Sequence, residues 1–199
     1  WGRVPQVRLL PDANATLLPG VVRLPVDTLT AILLALYLFG VRYPLADIGF
    51  SFDWARSDRS RPLAGLAAFM VIGLPLGMLI RFIRFSPHLP TVVELFGGII
   101  GGYLLTALIE EVLFRGIIQN LLARRLRSDW AGLGVAAVIF GLAHLNNSTP
   151  GYPTPNWAYV GMATLAGLAY GWVWMRTRKV TVSAITHMLV NLVWGIVFI

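Results

Sequence analysis

A chain of 199 residues that is 57% hydrophobic and only 13% charged is too apolar for a soluble domain, where apolar residues make up about 45–50% and charged ones about 25%. The formal net charge of +7 comes almost entirely from Arg. These bases fall between apolar runs, which points to membrane topology and away from a nucleic-acid partner. Cysteine is absent, which excludes disulfides, thiol nucleophiles and cysteine metal sites.

Residues 1–23 are broken by Pro5, Pro11 and Pro19 and read as an interfacial or linker segment. The chain opens on Trp1 rather than Met and closes inside an apolar run at Ile199, as expected of a piece of a longer chain. Residues 24–199 read as one transmembrane helical domain. Its hydrophobic segments lie at 24–41, 62–84, 92–122, 130–145, 157–175 and 180–199, here A to F. Each approaches the ~20 residues that cross ~30 Å of hydrocarbon. Segment D is short and is expected to tilt or to shelter behind its neighbours. Segment C would run about 46 Å as a helix, so it must tilt or project, with "IIQNLLARRLR" as the projecting part. The predicted fold class is all-α, a polytopic transmembrane bundle of about six helices.

The connections set the orientation. Arg42, Arg56, Arg59 and Arg61 lie between A and B. Arg124, Arg125 and Arg127 lie between C and D, and Arg176, Arg178 and Lys179 between E and F. Loops 42–61, 123–129 and 176–179 thus share one side and most of the positive charge, while "NNSTPGYPTPN" on the other side has none. The positive-inside rule makes the first side cytoplasmic, and a bacterial cytoplasmic membrane is the expected location. The pairs Gly73/Gly77, Gly97/Gly101, Gly98/Gly102 and Gly167/Gly171 predict close helix packing. Trp130, Trp157 and Trp172 are expected in interfacial belts or in packing.

Segment C carries "ALIEEVLFRG", residues 107–116, with Glu110, Glu111 and Arg115 inside an apolar run. Each unpaired charge at a helix centre costs about 2.5–3.5 kcal/mol to insert, while each Leu, Ile, Val or Phe returns about 0.3–0.6 kcal/mol. The cluster must therefore face protein or a wet cavity. Glu111 and Arg115 stand at i, i+4 and can pair. Glu110 is rotated about 100° from Glu111, has no in-helix partner and is a candidate general base facing the bundle interior. Segment D ends with Phe140 and His144 on one face, and segment F shows His187 and Asn191 on one face. A lone intramembrane His is most often a hydrogen-bonded packing residue. Three polar faces on three segments of one small bundle favour a site.

These residues resemble a known family. Glu110-Glu111-Val-Leu-Phe-Arg115 matches EExxxR, Phe140-Gly-Leu-Ala-His144 matches FxxxH, and His187-Met-Leu-Val-Asn191 matches HxxxN. In that order they look like the CPBP family of CAAX prenyl protease type II and bacteriocin-processing intramembrane proteases, also called lysostaphin-resistance-protein-A-like or abortive infection proteins. The resemblance covers 110–191. It implies peptide-bond hydrolysis at or within the membrane, on membrane-associated or lipidated peptides or proteins, of the CAAX-processing or bacteriocin/immunity type. Carried over, Glu110 activates water, His144 and His187 position the water or the scissile carbonyl, and Asn191 donates to the oxyanion. Glu111 and Arg115 shape and charge-balance the site, and Phe140 supports it.

The family has been assigned both metallo and glutamic types. A metal-free site is favoured, with zinc on Glu110, His144 and His187 as the alternative. No short i, i+4 His pair is present, Glu111 is committed to Arg115, and Arg115 adds positive charge. Rival protease chemistries fit poorly: there is no HExxH and no Asp in segments B to F, and Ser183 lacks an acidic orienter beside His187. The partners implied are membrane lipid and a peptide or protein substrate reaching the membrane. Two other classes stay open: a transporter or proton relay, since Glu/His chains also mark ion paths, and a catalytically silent membrane scaffold.

Overall fold

The computed structural model describes residues 14–18, 22–25, 33–34, 37–42 and 47–198, in two units, Trp1–Ala46 and Asp47–Ile199. In the first unit, Asn14–Leu18 (β1) and Val22–Pro25 (β2) pair antiparallel with Thr16 opposite Arg23 and an irregularity between Thr16 and Leu18. This hairpin straddles the boundary at residue 23 drawn from the sequence. Leu38–Arg42 forms a π-helical turn. Half of segment A, 24–41, lies outside the described residues, and its predicted span falls there.

The second unit is a bundle of α1 (Arg61–Leu79), α2 (Val92–Leu126), α3 (Asp129–Ala143), α4 (Trp157–Thr177) and α5 (Val180–Val197). These are segments B to F, and the bundle is all-α as expected. Local chemistry sets the ends. Pro62 sits in the first turn of α1, where no intrahelical N–H bond is lost. "TVVE" opens α2 as a capping box: Thr91 Oγ1 accepts from Glu94 N at 3.3 Å, and Thr91 N donates to Glu94 Oε2 at 2.8 Å. Ser128 caps α3 and Asn156 caps α4 through their side chains. Arg127 and Arg178 end α2 and α4 in left-handed conformation, with Arg124, Arg125 and Arg176 in the last turns, where cations suit the helix dipole.

Among the described residues, three helical stretches are long and apolar enough to cross a membrane: Arg56–Leu79, Val92–Leu126 and Val180–Val197. Segment D, at 15 residues, is as short as expected. Segment E makes a helix of 21 residues that does not reach the same hydropathy. The reason is its position. Helix α4 packs on α1, α3 and α5 and buries Ala163, Ala166, Gly167, Tyr170 and Trp174, so protein rather than lipid is its solvent. Exposed Val71, Leu79, Val93 and Phe96 on α1 and α2 are what a lipid-facing surface requires.

The glycine pairs divide. Gly167 and Gly171 do bring α4 close to its neighbours, Gly167 against Phe140 and Ala137, Gly171 against Gln119 and Leu133. Gly65, outside any predicted pair, is also close-packed: a Cβ there would lie 2.7 Å from Val173 and 2.8 Å from Thr186, so α1 meets α4 and α5 at a residue that must lack one. Gly97 and Gly101 face nothing among the described residues, and their predicted packing role is not met within this unit. Trp130 and Trp157 are each 63% exposed and open α3 and α4 at opposite ends of the bundle, as belt residues would. Trp172 lies beneath Arg61 and Arg176, with guanidinium-to-ring distances of 5.9 and 6.0 Å.

The Arg-rich connections gather at one end. Lys179 Nζ reaches Asp58 at 2.7 Å, Arg124 reaches Asp47 at 2.9 Å, and Arg178 pairs with Asp129. Val180 N donates to Gly49 O at 2.9 Å. At the other end, Ser86 N and His88 N donate to Val197 O and Ile196 O, each at 3.0 Å, and Tyr152 donates its hydroxyl to Ile80 O. The grouping of loops read from charge is the grouping the bundle adopts for residues 47–198.

Candidate active site

Helix α2 carries the acidic motif where its winding changes. Gly102–Ala107 and Val112–Gln119 are π-helical, and the four residues Leu108–Glu111 between them are α-helical. Such π turns recur at functional sites. Glu111 and Arg115 are both fully buried, with Arg115 Nε 3.1 Å from Glu111 Oε2. The expected pair is therefore formed. The approach is Coulombic rather than a well-aligned hydrogen bond, because none of the three guanidinium nitrogens finds an aligned acceptor among the described residues. The guanidinium instead lies 4.8 Å from the Phe140 ring centre and 5.7 Å from that of Tyr170, within cation–π range.

Glu111 has further partners, and here one expectation needs correction. Its pairing with Arg115 does not exclude it from serving a histidine. Oε1 takes a hydrogen bond from His187 Nδ1 at 3.1 Å, and Ser183 Oγ lies 2.6 Å from Oε2. A carboxylate has enough lone pairs for all three. Ser183 Oγ is also 2.8 Å from Tyr170 O, so its single proton serves one of two acceptors. Ser183 is fully buried and faces Glu111. It is a residue the sequence reading passed over, having weighed it only as a nucleophile.

The hydrogen bond to Glu111 places the His187 proton on Nδ1 and turns Nε2 toward Glu110, whose Oε2 lies 4.0 Å away. Glu110 is 27% exposed, yet Oε2 itself is buried without a hydrogen-bond partner among the described residues. Thus Glu110 does face away from Arg115, and the bundle supplies the neighbour its own helix lacks. His144 stands just beyond the end of α3. Its Nδ1 lies 2.8 Å from Phe140 O, so Nδ1 carries the proton and Nε2 is the free acceptor. Phe140 sits between the two imidazoles, 4.7 Å from His144 and 5.8 Å from His187 by ring centres.

A cavity of about 310 Å³ is lined by His144, His187 and Asn191 together with Phe140, Tyr159 and Tyr170. Glu110 is outside this lining and meets it through His187. Of the seven residues the sequence singled out, the bundle brings Glu110, Glu111, Arg115, Phe140 and His187 into one contact network. His144 joins through Phe140, and Asn191, exposed and one turn past His187, joins through the cavity. Tyr159 and Tyr170 were not foreseen. Their signal is faint: two polar-tipped aromatics in a stretch otherwise rich in Gly and Ala.

Glu110, His144 and His187 are the candidate ligands for a metal. Among the described residues no three His, Asp or Glu side chains converge as ligands. Of the three candidates, only Glu110 and His187 approach one another, at 4.0 Å; both imidazoles keep Nε2 free, with Nδ1 tied to Phe140 O in His144 and to Glu111 in His187, as metal-ligating histidines are held. As placed, the three do not form the three-ligand set that a catalytic metal takes.

Fold and site together define an integral membrane protein, a helical bundle holding a buried carboxylate–histidine network beside a cavity. Residues 92–193 match the family model of type II CAAX prenyl endopeptidase Rce1-like proteins, a span that runs from the start of α2 into α5 and contains every residue of the network. The chain belongs to this family, that of CAAX-type intramembrane proteases. No curated protein and no solved structure matches it.

Proposed function

We propose that this chain is an intramembrane endopeptidase that hydrolyses peptide bonds in lipidated or membrane-associated substrates with a water activated by Glu110. One observation carries the reading: Glu111 holds His187 in the tautomer whose Nε2 looks toward Glu110 Oε2 at 4.0 Å. Two acceptors at that separation suit one water donating a proton to each, since two bonds of ~2.8 Å from one water span about 4.4 Å.

The roles follow from that geometry. The water oxygen attacks the scissile carbonyl carbon and Glu110 takes its proton. The displaced electron pair goes to the carbonyl oxygen, where the Asn191 amide donates. The tetrahedral species collapses, the C–N bond breaks, and Glu110 returns the proton to the leaving amine. His144, with Nε2 free, orients the water or the substrate N–H. Glu111 and Arg115 hold His187 in place and balance its charge. Phe69, Phe82, Met162 and Trp194 make the cavity wall apolar, which favours a substrate delivered from lipid. The Arg-rich end faces the cytoplasm of a bacterial membrane in this reading, by the positive-inside rule.

The test uses purified protein in liposomes with a farnesylated CAAX peptide, its unprenylated twin and a transmembrane peptide, with products read by mass spectrometry. The wild type cleaves at least one of them. Glu110→Gln lowers that rate at least about a hundredfold with an unchanged melting temperature. Substantial residual cleavage would remove Glu110 from the role of base. Solute or proton flux without cleavage would return the site to the relay class.

A further inference from the structure

Both cavity histidines have one nitrogen tied. His187 is held at Nδ1 by Glu111, and His144 at Nδ1 by Phe140 O. A single hydrogen bond fixes the tautomer but leaves the ring free to turn about that bond, which would swing Nε2 off its target. Something must fix the plane of each ring.

Helix α4 supplies the same device twice. The Tyr170 ring lies 4.4 Å from the His187 ring at an interplanar angle of 16°. The Tyr159 ring lies 5.3 Å from the His144 ring at 17°. The two tyrosines are eleven residues apart, and at about 100° per residue they return to within roughly 20° of the same direction. Both line the cavity. Phe140 closes on each imidazole from another side, edge-on at 89° to His187 and tilted at 57° to His144. Each histidine is thus covered by a near-parallel tyrosine, wedged by one shared phenylalanine and tethered at Nδ1, which leaves Nε2 as its working atom.

We propose that Tyr170 and Tyr159 are positioning residues that set the ring planes of His187 and His144 by stacking, with their phenol hydroxyls dispensable for that role. The kinetic part of this inference rests on the protease reading; the stacking does not.

Histidine-labelled protein in detergent micelles tests the stacking by NMR. Ring protons of His144 and His187 are displaced upfield by the tyrosine rings, while exposed His88 is the unshifted internal reference. Tyr170→Phe keeps the His187 displacement and leaves kcat within about twofold, because the stacking face is retained. Tyr170→Leu removes the displacement and lowers kcat about tenfold with KM little changed, the upper range of an aromatic pair expressed as a rate. Tyr159→Phe and Tyr159→Leu do the same for His144. Equal losses in the Phe and Leu variants would overturn the proposal and give the hydroxyls the chemistry. So would a wild-type spectrum with no displaced imidazole protons, a result that needs no variant to fold. A protein that shows both displacements but cleaves no peptide would fail the protease reading, and the displacement lost in Tyr170→Leu and kept in Tyr170→Phe would still decide the stacking.

Discussion

Arg115→Met removes the positive charge at the centre of the network while keeping most of the side-chain length. Glu111 then stays fully buried, with His187 Nδ1 and Ser183 Oγ as its remaining partners. Breaking a buried pair from one side costs about 3–5 kcal/mol, most of it the penalty on the charge left behind. The guanidinium over Phe140 and Tyr170 contributes on the order of 0.5–2 kcal/mol to the same loss. One effect opposes it. His187 Nδ1 and Ser183 Oγ still donate to the stranded carboxylate, which holds the net loss near the lower bound. For a chain of this size about 2–4 °C accompanies each kcal/mol, so the melting point falls by about 6–12 °C if the loss is 3 kcal/mol. Tryptophan fluorescence during heating in detergent reads it. Adding Glu111→Gln removes the stranded charge while keeping an oxygen for His187, and about half of the loss should return. A double variant no more stable than Arg115→Met alone would refute the claim that these two residues form the electrostatic unit.

Other predictions follow from the same contacts. Ser183→Ala removes a donor 2.6 Å from a buried carboxylate and should cost about 1.5–3 kcal/mol in thermal stability; a loss below about 0.5 kcal/mol would assign the hydroxyl proton to Tyr170 O instead. Single cysteines replacing Ser128 and Ser148 in this cysteine-free chain should react with impermeant maleimide from opposite faces of the membrane, and labelling from one face would overturn the topology. Because no ligand set converges, cleavage should survive exhaustive chelation with sub-stoichiometric metal content. Stoichiometric zinc, with activity lost on its removal and regained on its return, would reassign Glu110, His144 and His187 as ligands.

Much of the site was legible because helical spacing is legible. Glu111 and Arg115 at i, i+4 predicted a pair and the bundle forms it. The step of about 100° between Glu110 and Glu111 predicted that only Glu111 shares a face with Arg115, and Glu110 meets His187 of α5 instead. What spacing within one helix cannot give is the partner on another. That His187 touches both acids, one with each nitrogen, depends on how α5 is set against α2. The same holds for Ser183, whose face was correctly shared with His187 but whose partner, Glu111, comes from a different helix. Glu111 is not fully committed to Arg115, because a carboxylate can accept from several partners at once.

Helix α4 was less legible for a physical reason. Hydropathy measures fitness for lipid, and it locates α1, α2 and α5 because lipid is what they meet. It undervalues α4, which meets other helices. That helix is free to carry tyrosines and small residues because its neighbours, not the bilayer, satisfy its surface. It also touches the site at every level: Tyr170 against His187, Tyr159 against His144, and the Tyr170 carbonyl against Ser183. Polar atoms are tolerated at membrane depth only where protein or a wet cavity surrounds them. A helix shielded on several sides can therefore carry them at the least cost, and the segment least marked as a span is the one best placed to build a reaction site.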